Sequence, residues 1–183
     1  MAEKIIGTIG KKDIKNVHKD KSYKVWVHLL ERCYSSHKLK ERNAYLDCVV
    51  CEEWKTYSNF KKWFDEHYIE GWQIDKDLFS NGTKIYSPQT CCYLPAILNN
   101  ALTYSHRERH CLLTTGVRVK HGRFYAAIKR YYKTKHLGVF DTIEEAINAY
   151  QVAKFKYITE ITEQYKDKLE PRVYEFIISK YKI

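Results

Sequence analysis

Several things are missing from this chain, and each absence narrows what it can be. No window approaches the ~18 apolar residues of a membrane span, and the N-terminus lacks the apolar core of a secretory signal, so a cytoplasmic protein is expected. With only three prolines and seven glycines, and no low-complexity tract or internal repeat, fibrous and repeat architectures are excluded. Acid is in deficit: 22 Asp and Glu face 32 Lys and Arg, a formal net charge of +10. Such a balance favours an anionic polymer as partner, and no small-molecule site is evident.

What is present is apolar enough to fold. The 183 residues are 44% hydrophobic and 15% aromatic, sixteen of them tyrosine, which excludes a disordered chain and leaves room for one medium or two small domains. Val25, Trp26, Leu29, Leu30 and Cys33 recur at three- and four-residue spacing, which predicts a helix over 23–34. Trp54, Tyr57, Phe60, Trp63 and Phe64 predict a second one, ended by Gly71. These stripes are core before they are anything else. Residues 1–20 read as an arm or short strand, 72–78 as a strand, and Pro95 as the first turn of a third helix reaching about Tyr104.

After a polar linker at 105–114 the pattern turns from helical to alternating. Gly116–Lys120, Phe124–Arg130 and Lys135–Phe140 read as three strands, the first two joined at His121-Gly122-Arg123. Asp141 or Thr142 caps a following helix with Glu144 and Glu145 in its first turn. A last helical segment runs from about 160, broken near Pro171. The expected fold class is α+β, with domains at 1–105 and 113–183.

Between Gly116 and His136 stand seven cations and no acid: Arg118, Lys120, Arg123, Lys129, Arg130, Lys133 and Lys135. Phe124, Tyr125, Tyr131 and Tyr132 are interleaved with them. A basic, aromatic sheet face backed by a helix has the shape of a duplex groove: cations neutralise phosphates while a few side chains read base edges. The listed cations and Tyr125 are the expected DNA contacts. RNA is an alternative partner, since such sheets also stack unpaired bases.

In the first half, IDKDLFSNGTKIYSPQTCC (74–92) places Asp75 and Asp77 around Lys76, before a turn at Asn81-Gly82. Phosphodiester cleavage needs a divalent metal and a group that prepares water. Asp75 or Asp77 with Asn99 or Asn100 would form a hard-oxygen site suited to magnesium or manganese. Asp75, Lys76, Asp77 and Asn99 are the candidate catalytic residues, with His28 or His67 as alternative bases. Of the six cysteines, Cys48, Cys51 and Cys91 offer a structural zinc site, which buried thiols outweigh as the reading.

Two resemblances add to this. Gly116-Val117, Tyr125-Ala126-Ala127-Ile128, His136-Leu137-Gly138-Val139-Phe140, Glu144-Glu145-Ala146 and Ala149-Tyr150 resemble the DNA-binding domain of plant apetala-two/ethylene-response factors. That domain also recurs in phage homing endonucleases. The likeness implies a three-stranded antiparallel sheet packed on a helix and lying in the major groove, here followed by a C-terminal helix. Arg32-Cys33-Tyr34, Val50-Cys51-Glu52-Glu53-Trp54, Phe60, Ile74-Asp75-Lys76-Asp77, Tyr86-Ser87-Pro88 and Cys91 are similar to HNH nucleases of the ββα-metal superfamily, in a phage branch. Lys76 stands where HNH enzymes place the base histidine, and Thr90 where many have the central asparagine. A lysine at an ordinary pKa near ~10.4 is a poor base at neutral pH. The resemblance implies a metal-dependent DNA endonuclease or nickase of homing type. The alternative is a catalytically degenerate DNA-binding protein, such as a phage regulator or anti-defence factor.

Overall fold

Five helices and three small sheets make up the mixed α+β fold of the computed structural model, which describes residues 5, 7–35, 46–103 and 116–181. The linker read at 105–114, with His106, His110 and Cys111, lies outside the described residues. The chain forms two compact units, Met1–Tyr93 and Leu94–Ile183.

Aromatic stripes build the first unit. Helix α1 (Lys21–Tyr34) buries Tyr23, Trp26, Leu29, Leu30 and Cys33. Helix α2 (Tyr57–His67) buries Tyr57, Phe60, Trp63 and Phe64, and is preceded by a 3₁₀ turn, Glu53–Lys55, that buries Trp54. Trp26 donates its indole N–H to the Trp54 carbonyl at 2.6 Å, and the Ser22 and Tyr57 hydroxyls are bonded at 2.8 Å. Trp54 meets Phe60 edge-on at 5.1 Å, and Trp63 stacks on Tyr93 and Phe64 on Tyr68, arrangements that aromatic quadrupoles favour. Each such ring withdrawn from water contributes about 1.5–3 kcal/mol. The N-terminal arm is tied to this core: Lys11 N donates to the Lys55 carbonyl, and Tyr57 N to that of Lys11.

Four short strands frame the carboxylates. β1 (Val49–Val50) pairs in parallel with β3 (Ile85–Tyr86), Val49 opposite Ile85 and Val50 opposite Tyr86. β2 (Trp72–Asp75) neighbours β4 (Cys92–Pro95). β4 is a strand the sequence reading lacks. All four of its residues are buried, so it shows no alternation, and Pro95 ends it instead of sitting inside the next helix.

In the second unit, α3 (Ala96–Leu102) packs on the long helix α4 (Ile143–Gln164). Strands β5 (Val117–Lys120), β6 (Arg123–Arg130) and β7 (Lys133–Phe140) form an antiparallel sheet in that order, packed on the same helix. Thr142 caps α4 in a reciprocal box with Glu145. Pro171 starts a helix, α5 (Pro171–Lys180), rather than breaking one; α4 has already ended at Gln164. Val117, Ala126 and Ile128 from the sheet are buried, as are Ala146, Tyr157, Ile158 and Ile161 from α4. Gly116 sits at φ +88°, and a Cβ there would collide with the Tyr150 ring and lie 2.7 Å from the Ala127 carbonyl oxygen. Only glycine fits.

Candidate nucleic-acid interface and carboxylate site

Directly opposed residues on paired strands share a face, so the register sorts the cations. Val117 opposes Ala126, which is buried against the helix side, and the next pair, Arg118 with Tyr125, therefore faces away. The same parity puts Lys120 and Arg123 on the open face, and on the β6–β7 side Lys129 with Thr134, Ala127 with His136, and Tyr125 with Val139. Arg118, Lys120, Arg123, Lys129 and His136 are all exposed there, with Tyr125 half-buried and its ring centroid 6.2 Å from that of His136. None of these open-face residues is acidic. Arg123 reaches Asp141, just past the end of β7, at 2.8 Å, an exposed pair of little energetic weight.

Arg130, Lys133 and Lys135 stand on the other side. Arg130 opposes Lys133, and Ile128, buried toward the helix, opposes Lys135. The Arg130 guanidinium pairs with Glu160 of α4 and lies 5.2 Å from the Tyr157 ring centre. Arg130 follows plain alternation along β6 from Ala126 and Ile128; for Lys133 and Lys135 the cause is a β-bulge. Ala126 opposes Gly138 but Ala127 opposes His136, so Leu137 is an extra residue in β7. Strict alternation back from Phe140 would put Lys133 and Lys135 on the open face, and one inserted residue reverses both. His136 and Thr134, which the sequence reading did not list, take the open positions instead. No sequence signal short of the pairing register marks this exchange.

The carboxylate site is ordered by Asp75. Its Oδ1 accepts from the amides of Asp77 at 3.0 Å and Leu78 at 2.8 Å, closing the turn that ends β2. Its other oxygen has no protein partner among the described residues. Burial pushes the Asp75 carboxyl above the ordinary carboxylate range; the Leu78 amide bond opposes this, and the Asp77 charge adds to it. Lys76 is buried, 6% exposed, with its ammonium paired to the Asp77 carboxylate and 5.6 Å from the Tyr86 ring centre. Burial alone would lower this lysine, but the hydrogen bond and charge of Asp77 outweigh it and the net shift is upward. The Asp77 carboxylate thus favours the ammonium form of Lys76.

Asp75, Lys76 and Asp77 belong to the first unit, Asn99 and Asn100 of α3 to the second. His28 lies on α1, and His67 ends α2 with its Nδ1 2.7 Å from the Trp63 carbonyl oxygen; neither hydrogen-bonds to Asp75 or Asp77. Thr90 closes the Ser87–Thr90 turn: its hydroxyl accepts from Ser87 N at 3.1 Å and donates to the Ile85 carbonyl at 2.6 Å. Cys33, Cys48, Cys91 and Cys92 are buried, and burial pushes the Cys33 and Cys91 thiols up to about 12. Among the described residues no three His, Cys, Asp or Glu side chains converge as a metal-ligand group.

Magnesium and manganese are commonly held by one or two carboxylates together with phosphate and water. Asp75 suits that role, because a desolvated carboxyl with an uncommitted oxygen is relieved by a cation. Asp77 has one oxygen on Lys76 and offers the other. Among the described residues, no helix is long and apolar enough to cross a membrane. The chain matches no protein-family model, no curated protein and no solved structure.

Proposed function

We propose that this protein is a sequence-directed DNA endonuclease or nickase, in which the β5–β7 sheet holds duplex DNA and the first unit cuts it with a divalent metal. The observation that carries the DNA-binding part is the open sheet face. Four exposed cations, Arg118, Lys120, Arg123 and Lys129, surround Tyr125 and His136, while α4 covers the opposite face. Cations at strand spacing neutralise phosphates, and Arg and His side chains among them meet base edges. The cutting part rests on the resemblance of the Asp75–Asp77 segment to HNH nucleases and on the uncommitted oxygen of Asp75. When bound, the ion supplies positive charge at the scissile phosphate and a lowered pKa for attacking water. Asp75 and Asp77 would hold it, and Lys76 keeps Asp77 in place.

A second reading is a DNA-binding protein that does not cut. It is favoured by the Lys76–Asp77 pair, which already satisfies one carboxylate with a protein cation.

Purified protein incubated with long duplex DNA in magnesium, manganese or chelator separates the two. Wild type is expected to bind in all three and to cleave only with metal. Asp75→Asn is expected to bind and not cleave, because its amide oxygen still accepts the Asp77 and Leu78 N–H bonds while the metal-holding charge is gone. Binding without cleavage in any metal selects the second reading. Absence of binding to any duplex removes both.

A further inference from the structure

The hairpin joining β6 to β7 is built against local preference. Arg130 opposes Lys133, so the loop is two residues, Tyr131 and Tyr132, and both have positive φ, +46° and +63°. A two-residue turn of that kind favours Asn-Gly, because a bulky L-residue is strained in the left-handed region. The sister hairpin obeys the rule more closely, with His121 at +50° and Gly122 at +73°. Strained positions persist only where their surroundings hold them, and they concentrate at binding sites.

The surroundings account for Tyr131. Its amide donates to the Tyr157 hydroxyl at 2.8 Å, and its ring meets that of Tyr157 edge-on at 5.4 Å. Its hydroxyl donates to Glu160 at 2.9 Å and accepts from Gln164 at 2.8 Å. Arg130 adds its pairing with the same Glu160. One strained tyrosine is thus clamped to α4 through its amide, its hydroxyl and its ring.

They do not account for Tyr132. It is 68% exposed, the most exposed large hydrophobic side chain among the described residues, and makes no hydrogen bond or ring contact. The fold bears a second left-handed residue and leaves its ring in water beside the exposed Lys133, while Arg130 on its other side is held by Glu160. An exposed aromatic ring next to a lysine is an arrangement that stacks on a nucleobase while the ammonium holds the adjoining phosphate. Bases inside an intact duplex present no free face, so the ring needs one that is unpaired.

We propose that Tyr132 is a stacking platform for an unpaired base in otherwise duplex DNA, such as a bulge or the margin of a gap. This rests on the reading of the β5–β7 sheet as the DNA-binding surface.

The test uses a duplex with one bulged 2-aminopurine and its fully paired counterpart, with affinity read by anisotropy and stacking by quenching of the 2-aminopurine. Wild type is expected to quench the probe. Tyr132→Ala should lose quenching and about 5- to 150-fold of affinity for the bulged duplex, the range base–aromatic stacking spans, with paired-duplex affinity unchanged. Tyr132→Phe should retain both. Tyr132→Gly should raise Tm, because the backbone strain is relieved, while binding the bulged duplex as weakly as the alanine variant. A stabilised protein that has lost affinity is an outcome a purely structural tyrosine would not produce. If Tyr132→Ala binds and quenches like wild type, or loses affinity equally on both duplexes, the proposal is overturned while the sheet reading stands. If wild type binds neither duplex, the sheet reading falls and this proposal with it.

Discussion

A lysine ammonium withdrawn from water must be matched by a partner, and Lys76 has Asp77. The pair is lopsided: the lysine side chain is 7% exposed and the aspartate 70%. Removing Asp77 strands a buried charge, whereas replacing Lys76 by an apolar side chain of similar length removes the need for a partner. Asp77→Ala is therefore expected to lose about 1–3 kcal/mol, and Lys76→Met to change stability by less than about 1. The double variant should recover most of the Asp77→Ala loss in urea denaturation. Additive single effects would show that the two side chains are not coupled. Asp75 behaves in the opposite sense. Its raised carboxyl means that the folded state holds the proton more tightly than the unfolded chain. That contribution to stability is present at low pH and is lost as pH rises from the ordinary value of 3.8 through the folded one. Asp75→Asn should accordingly be more stable than wild type at neutral pH, with the gap closing on acidification. A gap independent of pH would rule this out. Both acids were legible in the sequence, but their division of labour was not, because it depends on which carboxylate oxygen meets an amide and which an ammonium.

Among the elements, the β5–β7 sheet shows how one residue redirects chemistry. Alternation located the strands and sorts the cations of β5 and β6, yet the bulge at Leu137 decides the face on which Lys133 and Lys135 stand. Arg118 and Lys129 stand on the open side, while Arg130 is turned to Glu160. Arg118→Ala with Lys129→Ala should flatten the salt dependence of DNA binding by about two in the slope of log K against log salt, roughly one per phosphate contact. Arg130→Ala should leave that slope as it is, losing about 1 kcal/mol of fold stability instead with its Glu160 and Tyr157 contacts. Equal slopes for the two variants would mean that the open face is not where phosphates bind. The turn at Tyr131–Tyr132 was hidden for a related reason. It carries neither the glycine nor the asparagine by which such turns announce themselves, and only the clamp from α4 makes it affordable.

The whole molecule is two units, and their division falls before α3. The composition shift in the sequence suggests a boundary in 105–114, which would leave that helix with the first half. Leu98 of α3 is fully buried, and the helix packs on α4. A fragment of residues 94–183 should therefore unfold cooperatively at a higher temperature than one of 113–183, as read by circular dichroism. If the shorter fragment is as stable, α3 adds nothing to the second unit.

The amino-acid sequence by itself determined the net charge, the aromatic stripes of α1 and α2, the three alternating strands and the cap of α4, because these follow from local spacing and side-chain chemistry. Tertiary structure alone decided that β4 is a strand, that Lys133 and Lys135 leave the open face, that Lys76 is buried against Asp77, and that two tyrosines hold a left-handed turn. Each of those depends on partners distant in the chain or on a one-residue shift in pairing. Periodicity carries no trace of either.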